Sequence, residues 1–308
     1  MGYCVIQKGI IMRFAVFVLV LVPSLALTGS FSLNRAGAAC VGMQRSELMA
    51  LRAAKWQVPD DARRQQLALG LVDCLAESDP VLRDELGFEA LAAWIRGEKL
   101  TPATVQSLRT TLLPRLTAAD PQGFSRPFAA LALAEVARVD RRKPYLSPAE
   151  RQELVTAAAA YLSGVRDYRG YDETAGWRHG VAHGADLVLQ LALNPALGKA
   201  EHTALLAAIA SQVMPAHSYI FGEGERLMAP VFYLARRDTL TAAEWEAWLS
   251  RLLAARKPIP PVSQAALAQT HNLKQFLYPL YASLTLSQDA AQRERLLQAV
   301  TSALKALD

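Results

Sequence analysis

The chain has 308 residues, just over half of them apolar, with 33 Lys and Arg against 28 Asp and Glu, and three cysteines. That composition supplies a sizeable core and excludes an extended disordered chain. Three of the charges behind the formal +5 are Lys8, Arg13 and Arg35, in an N-terminal stretch with no acid; without them the balance is +2, and no Lys/Arg cluster with interleaved aromatics remains to support nucleic-acid binding.

Residues 1–38 read as a secretory signal. Lys8 and Arg13 precede an apolar run from Phe14 to Leu27, and small residues follow at Ala36-Gly37-Ala38-Ala39. The run is short for a membrane span, so no stable span is expected after processing. Met12 opens the same pattern as Met1, which leaves two possible starts. Cleavage near Ala38 or Ala39 places the mature chain in the periplasm or outside the cell. The alternative is a lipid anchor on Cys40, but lipoprotein signals carry Leu three residues before the cysteine, and here that residue is Gly37. Cys4 leaves with the signal, and the remaining pair, Cys40 and Cys74, reads as one disulfide in an oxidising compartment.

From there the periodicity is helical almost throughout, and residues 39–308 read as one all-α domain. Helices are predicted over about 44–56, 60–77, 80–97, 102–118, 126–139, 147–165, 175–193, 199–213, 224–237, 241–255, 263–285 and 288–306. Asp60, Thr101-Pro102, Ser147-Pro148 with Glu150, and Thr241 with Glu244 supply N-terminal signals. Short connections suggest antiparallel hairpins stacked as a HEAT/armadillo-like superhelix, and Asp79-Pro80 leading to Leu82, Leu86, Phe88, Leu91 and Ala92 has that flavour. The alternative is a closed α/α toroid, since twelve helices suffice for one. Arg141-Arg142-Lys143, the densest basic run, reads as a solvated turn, and Lys257-Pro258-Ile259-Pro260-Pro261 as a loop between helices.

One stretch departs from this Leu/Ala background. Only five histidines occur, and His179 and His183 stand four apart, with Asp186 three further on and Gln190 beyond. On the predicted helix 175–193 these four share a stripe, opposite Val181, Ala185, Val188 and Leu189. Gly180 and Gly184 would let a second helix approach closely, and Thr174 would cap the helix. The preceding connector, 166–176, is rich in Tyr, Arg and acids, including Tyr171 and Asp172. Imidazole and carboxylate in one stripe point to a polar pocket, with ordinary solvated amphipathicity as the bland reading.

His179 and His183 at i and i+4 can share a divalent metal. Asp186 lies about 10 Å from His179 along a straight helix, so further ligands would have to come from His217, Glu223, Glu225 or His271. No cofactor is otherwise implied. A metal-free acid/base pair would join Asp172 or Asp186 to Glu223. His202, in a Lys-Ala-Glu-His helix start, reads as surface. Trp177, Tyr219, Phe221, Phe232, Tyr233, Phe276, Tyr278 and Tyr281 suit either a cleft or the core. No nucleophile elbow, phosphate loop or dinucleotide fingerprint is present.

The pattern Tyr171-Asp172-x3-Gly176-Trp177-x-His179-x3-His183-x2-Asp186-Leu187 resembles the bacterial family called domain of unknown function 2785, as do Gly222-Glu223-x-Glu225-Arg226-Leu227 and Asn272-Leu273-Lys274. The resemblance implies an all-helical, repeat-like fold over most of the mature chain and no particular activity. The signal and the cysteine pair look like features of an exported subgroup. The functional expectation is a ligand or a peptide, glycan or protein partner bound through Tyr171, Trp177, His179, His183, Asp186, Glu223, Glu225 and His271. The alternative is a hydrolase using the same pocket, with Asp172, Asp186 and Glu223 as candidate catalytic groups.

Overall fold

The computed structural model describes residues 40, 44–255 and 263–307; the signal segment and the Lys257–Pro261 loop lie outside them. The described residues are all-α but for one two-residue hairpin. Helices α1 (Arg45–Ala53), α2 (Asp61–Gly70), α3 (Glu89–Arg96), α4 (Pro102–Leu112), α5 (Ser125–Arg142) and α6 (Pro148–Gly164) precede the hairpin β1 (Tyr171–Asp172) and β2 (Gly176–Trp177). Then come α7 (Gly180–Ala192), α8 (Lys199–Val213), α9 (Glu223–Leu234), α10 (Ala242–Ala254), α11 (Gln264–Leu286) and α12 (Ala290–Lys305). No helix among the described residues is long and apolar enough to cross a membrane.

Local signals set several helix starts. Asp60, Thr101, Ser147 and Thr241 each accept a bond from the third residue of the following helix, and Glu150 and Glu244 reach back to complete capping boxes. Other boundaries differ from the periodicity. The second helix stops at Gly70, and a 3₁₀ turn over Asp73–Ala76 carries Cys74. The next begins as a π-helical stretch, Val81–Phe88, before continuing as α3. Cys40 and Cys74 form the expected disulfide.

Alternate helices stack on one another: α5 on α7, α7 on α9 and α9 on α11 in one row, with α6 on α8 and α10 on α12 behind. A single cluster of buried apolar side chains runs through these rows from Leu48 to Ala303. Each fully buried Leu within it contributes roughly 1.5–3 kcal/mol. Helix α5 is extensively enclosed, burying Pro127, Phe128, Leu133, Val136 and even Glu135 and Asp140.

Two buried polar residues tie the rows together. Asp140, 1% exposed, accepts from the backbone of Tyr145 and Leu146, from Arg151 (2.7 Å) and from Asn194 (2.8 Å). Burial opposes its charge, but these donors outweigh burial and hold the carboxyl below its usual range. Asn272, fully buried on α11, accepts from Tyr219 N–H (2.8 Å) and donates to the carbonyls of His217 (2.7 Å) and Pro215 (3.3 Å). It fixes the loop between α8 and α9.

Candidate functional site

The helix carrying the histidines begins five residues later than its periodicity predicts. Thr174 caps nothing: it sits in the turn of the hairpin, where Tyr171 pairs with Trp177 and Asp172 with Gly176. Two further backbone bonds, Arg178 N–H to the Gly170 carbonyl and His179 N–H to the Arg169 carbonyl, extend the pairing. His179 then turns the chain into α7 as its N-cap, in a left-handed conformation with φ 54°. The helical stripe therefore loses its first member. His179 instead projects from a corner and His183 from the first turn of α7, with the His183 N–H bonded to the His179 carbonyl.

Glycine positions explain how closely this corner is packed. A Cβ at Gly184 would lie 3.0 Å from Tyr161 and 3.1 Å from Leu162, so α7 does approach α6 through the glycine, as its spacing predicts. A Cβ at Gly170 would fall within the Phe221 ring. The strip of backbone at 170 is thus the seat of Phe221.

The resulting wall is aromatic. Tyr171, half exposed, lies against Trp177; the Trp177 indole stacks on the His179 imidazole with centroids 4.7 Å apart; and Phe221 meets Trp177 edge-on at 5.6 Å. His183 packs edge-on against Phe128 at 5.0 Å. Both imidazoles are more than nine-tenths buried, as is Glu223 at the start of α9.

Hydrogen bonding defines the state of each ring. His179 bonds the Phe221 backbone and leaves Nε2 without a partner, so Nδ1 is its donor. His183 bonds Pro127, which has only a carbonyl to offer, and leaves Nδ1 unpartnered. Each ring therefore presents a lone pair. The Glu223 Oε1 oxygen stands 3.7 Å from His179 Nε2, too far for a direct bond, while Oε2 accepts from Phe221 N–H at 2.9 Å. Burial, followed by the Arg226 guanidinium, pushes His179 down to about 4; burial drives His183 well below its ordinary value. Both rings are neutral at pH 7.

Asp186 does not complete this group as a free carboxylate. Both its oxygens receive Arg226 Nη1 at 2.6 Å, although burial pushes its carboxyl up. Nearby Arg96 bonds Glu135 (Nε to Oε1, 3.0 Å), and both act electrostatically on Asp186. Helices α3, α5, α7 and α9 thus each contribute one charge, the carboxylates of Glu135 and Asp186 lying between the guanidinium groups of Arg96 and Arg226. Asp172 is exposed and accepts from Thr174 and Ala175 N–H, which hold its carboxyl below the usual range. Glu225 is exposed. His271 bonds the Tyr219 carbonyl (3.0 Å), and His217 stacks on Tyr168. His202 is not on the surface: it is fully buried, with Nδ1 2.9 Å from the Thr239 hydroxyl.

Of the aromatics, Tyr219 and Phe276 are core, whereas Tyr278 and Tyr281 are exposed on α11. Among the described residues no group of three His, Cys, Asp or Glu is placed to hold a metal ion. A cleft of about 580 Å³ lies elsewhere, between α8 and α10, and is largely apolar.

Arg83, Asp84 and Phe128 belong to this neighbourhood without a sequence motif to mark them. Arg83 is fully buried, lies over the Phe124 ring at 4.1 Å and donates to the Ala175 carbonyl at 2.8 Å, which pins the hairpin turn to the π-helical stretch. Its ion-pair partner Asp84 is pushed up to about 6 by burial. The one available signal is that Arg83 shares its face with Gly87 and Ala90, an arginine in an otherwise small, apolar stripe.

No curated protein and no solved structure matches the chain. The match to a family covers residues 113–282, from just after α4 through the hairpin, the histidine corner and Glu223 into α11, and on that match the chain belongs to the family described as protein of unknown function (DUF2785).

Proposed function

We propose that the protein binds a hydroxyl-bearing ligand of the glycan kind at the His179 corner. The observation that carries this is the buried His179 Nε2, which has no hydrogen-bond partner and stands 3.7 Å from the Glu223 Oε1 oxygen. A buried acceptor without a donor costs about 1–3 kcal/mol, so a group with a hydrogen to share is the natural occupant. The Arg226 charge, which disfavours protonation of both imidazoles, equally disfavours an ammonium ligand and leaves a hydroxyl. Tyr171 and Trp177 supply the flat apolar faces on which a sugar ring stacks. Because Nε2 is shielded, entry requires the Trp177 indole to swing off the imidazole.

The second reading, hydrolysis, rests on the same pair. A water donating to both acceptors would be held by a neutral base and a carboxylate, the arrangement used in general-base catalysis. Asp172 and Asp186 are engaged by backbone amides and by Arg226, so His179 with Glu223 is the pair this reading uses. The disulfide supports the exported, periplasmic or secreted location, and the stacking of neighbouring hairpins supports an open superhelix over residues 39–308 rather than a ring.

A thermal-shift screen of oligosaccharides and peptides tests the binding reading, with Glu223→Gln as the variant. A Gln amide would itself donate towards His179 Nε2, so fold stability should hold while glycan binding falls about tenfold or more. Binding of peptides alone, or glycan binding unchanged in Glu223→Gln, would refute it. Release of reducing ends by wild type but not by the variant would establish hydrolysis instead.

A further inference from the structure

The basic run Arg141-Arg142-Lys143 closes α5, with Arg142 and Lys143 exposed and Arg141 half-buried. Beside it, where the ends of α3 and α5 meet the start of α4, lies a cavity of about 210 Å³. Its floor is apolar, formed by Ile95, Leu100, Val105 and Val139, and its rim carries Arg138, Arg142 and Lys143. Among the described residues none of these three cations has a carboxylate partner, whereas Arg109 and Arg151 nearby are each paired. Glu98 is the one acid on the lining. The cations are close enough to act on one another's neighbour: Arg138 and Arg142 add to burial in depressing the half-buried Arg141 guanidinium. Tyr145, also on the lining, has its hydroxyl buried and without a hydrogen-bond partner.

Unpaired cations gathered at the mouth of an apolar hollow, beside an orphaned hydroxyl, call for an anion with a hydrophobic body. An inorganic anion would satisfy the rim and leave the floor empty; a neutral apolar molecule would leave the cations and the hydroxyl unmet. We propose that this cavity binds a small amphipathic carboxylate, such as a medium-chain fatty acid, with its head group on Arg138, Arg142 and the Tyr145 hydroxyl and its chain against Val105 and Val139. The volume is below the range of most drug-sized sites, which rules out a long-chain fatty acid. The site is independent of the His179 corner.

The test uses the full mature chain with decanoate as the probe, decanol as its neutral counterpart, and vesicles of anionic phospholipid. Isothermal titration should show saturable binding of decanoate with about one site and none of decanol. Arg138→Gln and Arg142→Gln should each weaken decanoate about tenfold, the usual worth of a charge-assisted bond, and Tyr145→Phe severalfold. Circular dichroism should show both arginine variants folded, and glycan binding at the His179 corner should be unaffected. No saturable decanoate binding up to about 10 mM would overturn the proposal, since that is weaker than any useful affinity. So would equal binding of decanol, unchanged affinity in both arginine variants, or attachment to vesicles without any binding of free decanoate.

Discussion

Histidine 179 should make the protein acid-sensitive over a defined interval. Its ordinary value is 6.5 and its buried value about 4, so between these limits the unfolded chain holds a proton that the folded chain refuses. Stability therefore rises with pH across that window: it is fully present above 6.5 and is lost as pH falls towards 4. From pH 7 to pH 5 the loss amounts to about 2 kcal/mol from this one ring. Asp84 works in the opposite sense, because a carboxyl raised from 3.8 to about 6 stabilises the fold on protonation, by about 1 kcal/mol over the same interval. The two are separated by His179→Asn. Asparagine tolerates the left-handed backbone at φ 54° and does not titrate. Urea unfolding at pH 7 and pH 5 should show wild type losing about 2 kcal/mol more than the variant. Parallel pH profiles, within about 0.5 kcal/mol, would refute the claim that this imidazole is buried and neutral.

Three other substitutions have definite outcomes. Asp140→Asn leaves Arg151 without its carboxylate and should cost about 3 kcal/mol in urea unfolding, with α5, α6 and α7 loosened together. Asn272→Ala removes three bonds from the α8–α9 loop; hydrogen exchange at the Tyr219 amide should accelerate, with a stability loss of about 2–3 kcal/mol. Replacing Cys40 with Ser, or reducing the 34-residue bridge to Cys74, should lower stability by about 3–4 kcal/mol in the chain-entropy account, seen as a lower melting temperature.

Much of the fold was legible in the sequence because its determinants are local. Capping residues such as Ser147 and Thr241 act within one turn, so periodicity and end signals placed these starts correctly. The α6–α7 approach was legible too, since a glycine four residues after another has a direct steric meaning. The histidine corner was only half visible. His179 and His183 stood out by their rarity, but periodicity carried the helix back to 175, whereas pairing of Tyr171 with Trp177 and the left-handed turn at His179 break it. The hairpin turn is met from a distance in sequence, by Arg83 donating to the Ala175 carbonyl, a contact no local pattern records. His202 was misread for a related reason: a helix start looks exposed until a neighbouring segment, here with Thr239, covers it.

By itself, then, the sequence determined helix type, most helix positions, the cysteine pair and the rarity that singles out His179 and His183. Only the tertiary structure decided that Glu223 faces His179, that Asp186 is engaged by Arg226, and that Arg138, Arg142 and Lys143 crown an apolar hollow. Helical hydrogen bonds close within four residues and leave their mark in local spacing. The partner of a buried charge or imidazole is chosen across stacked helices, by contacts that no local spacing records.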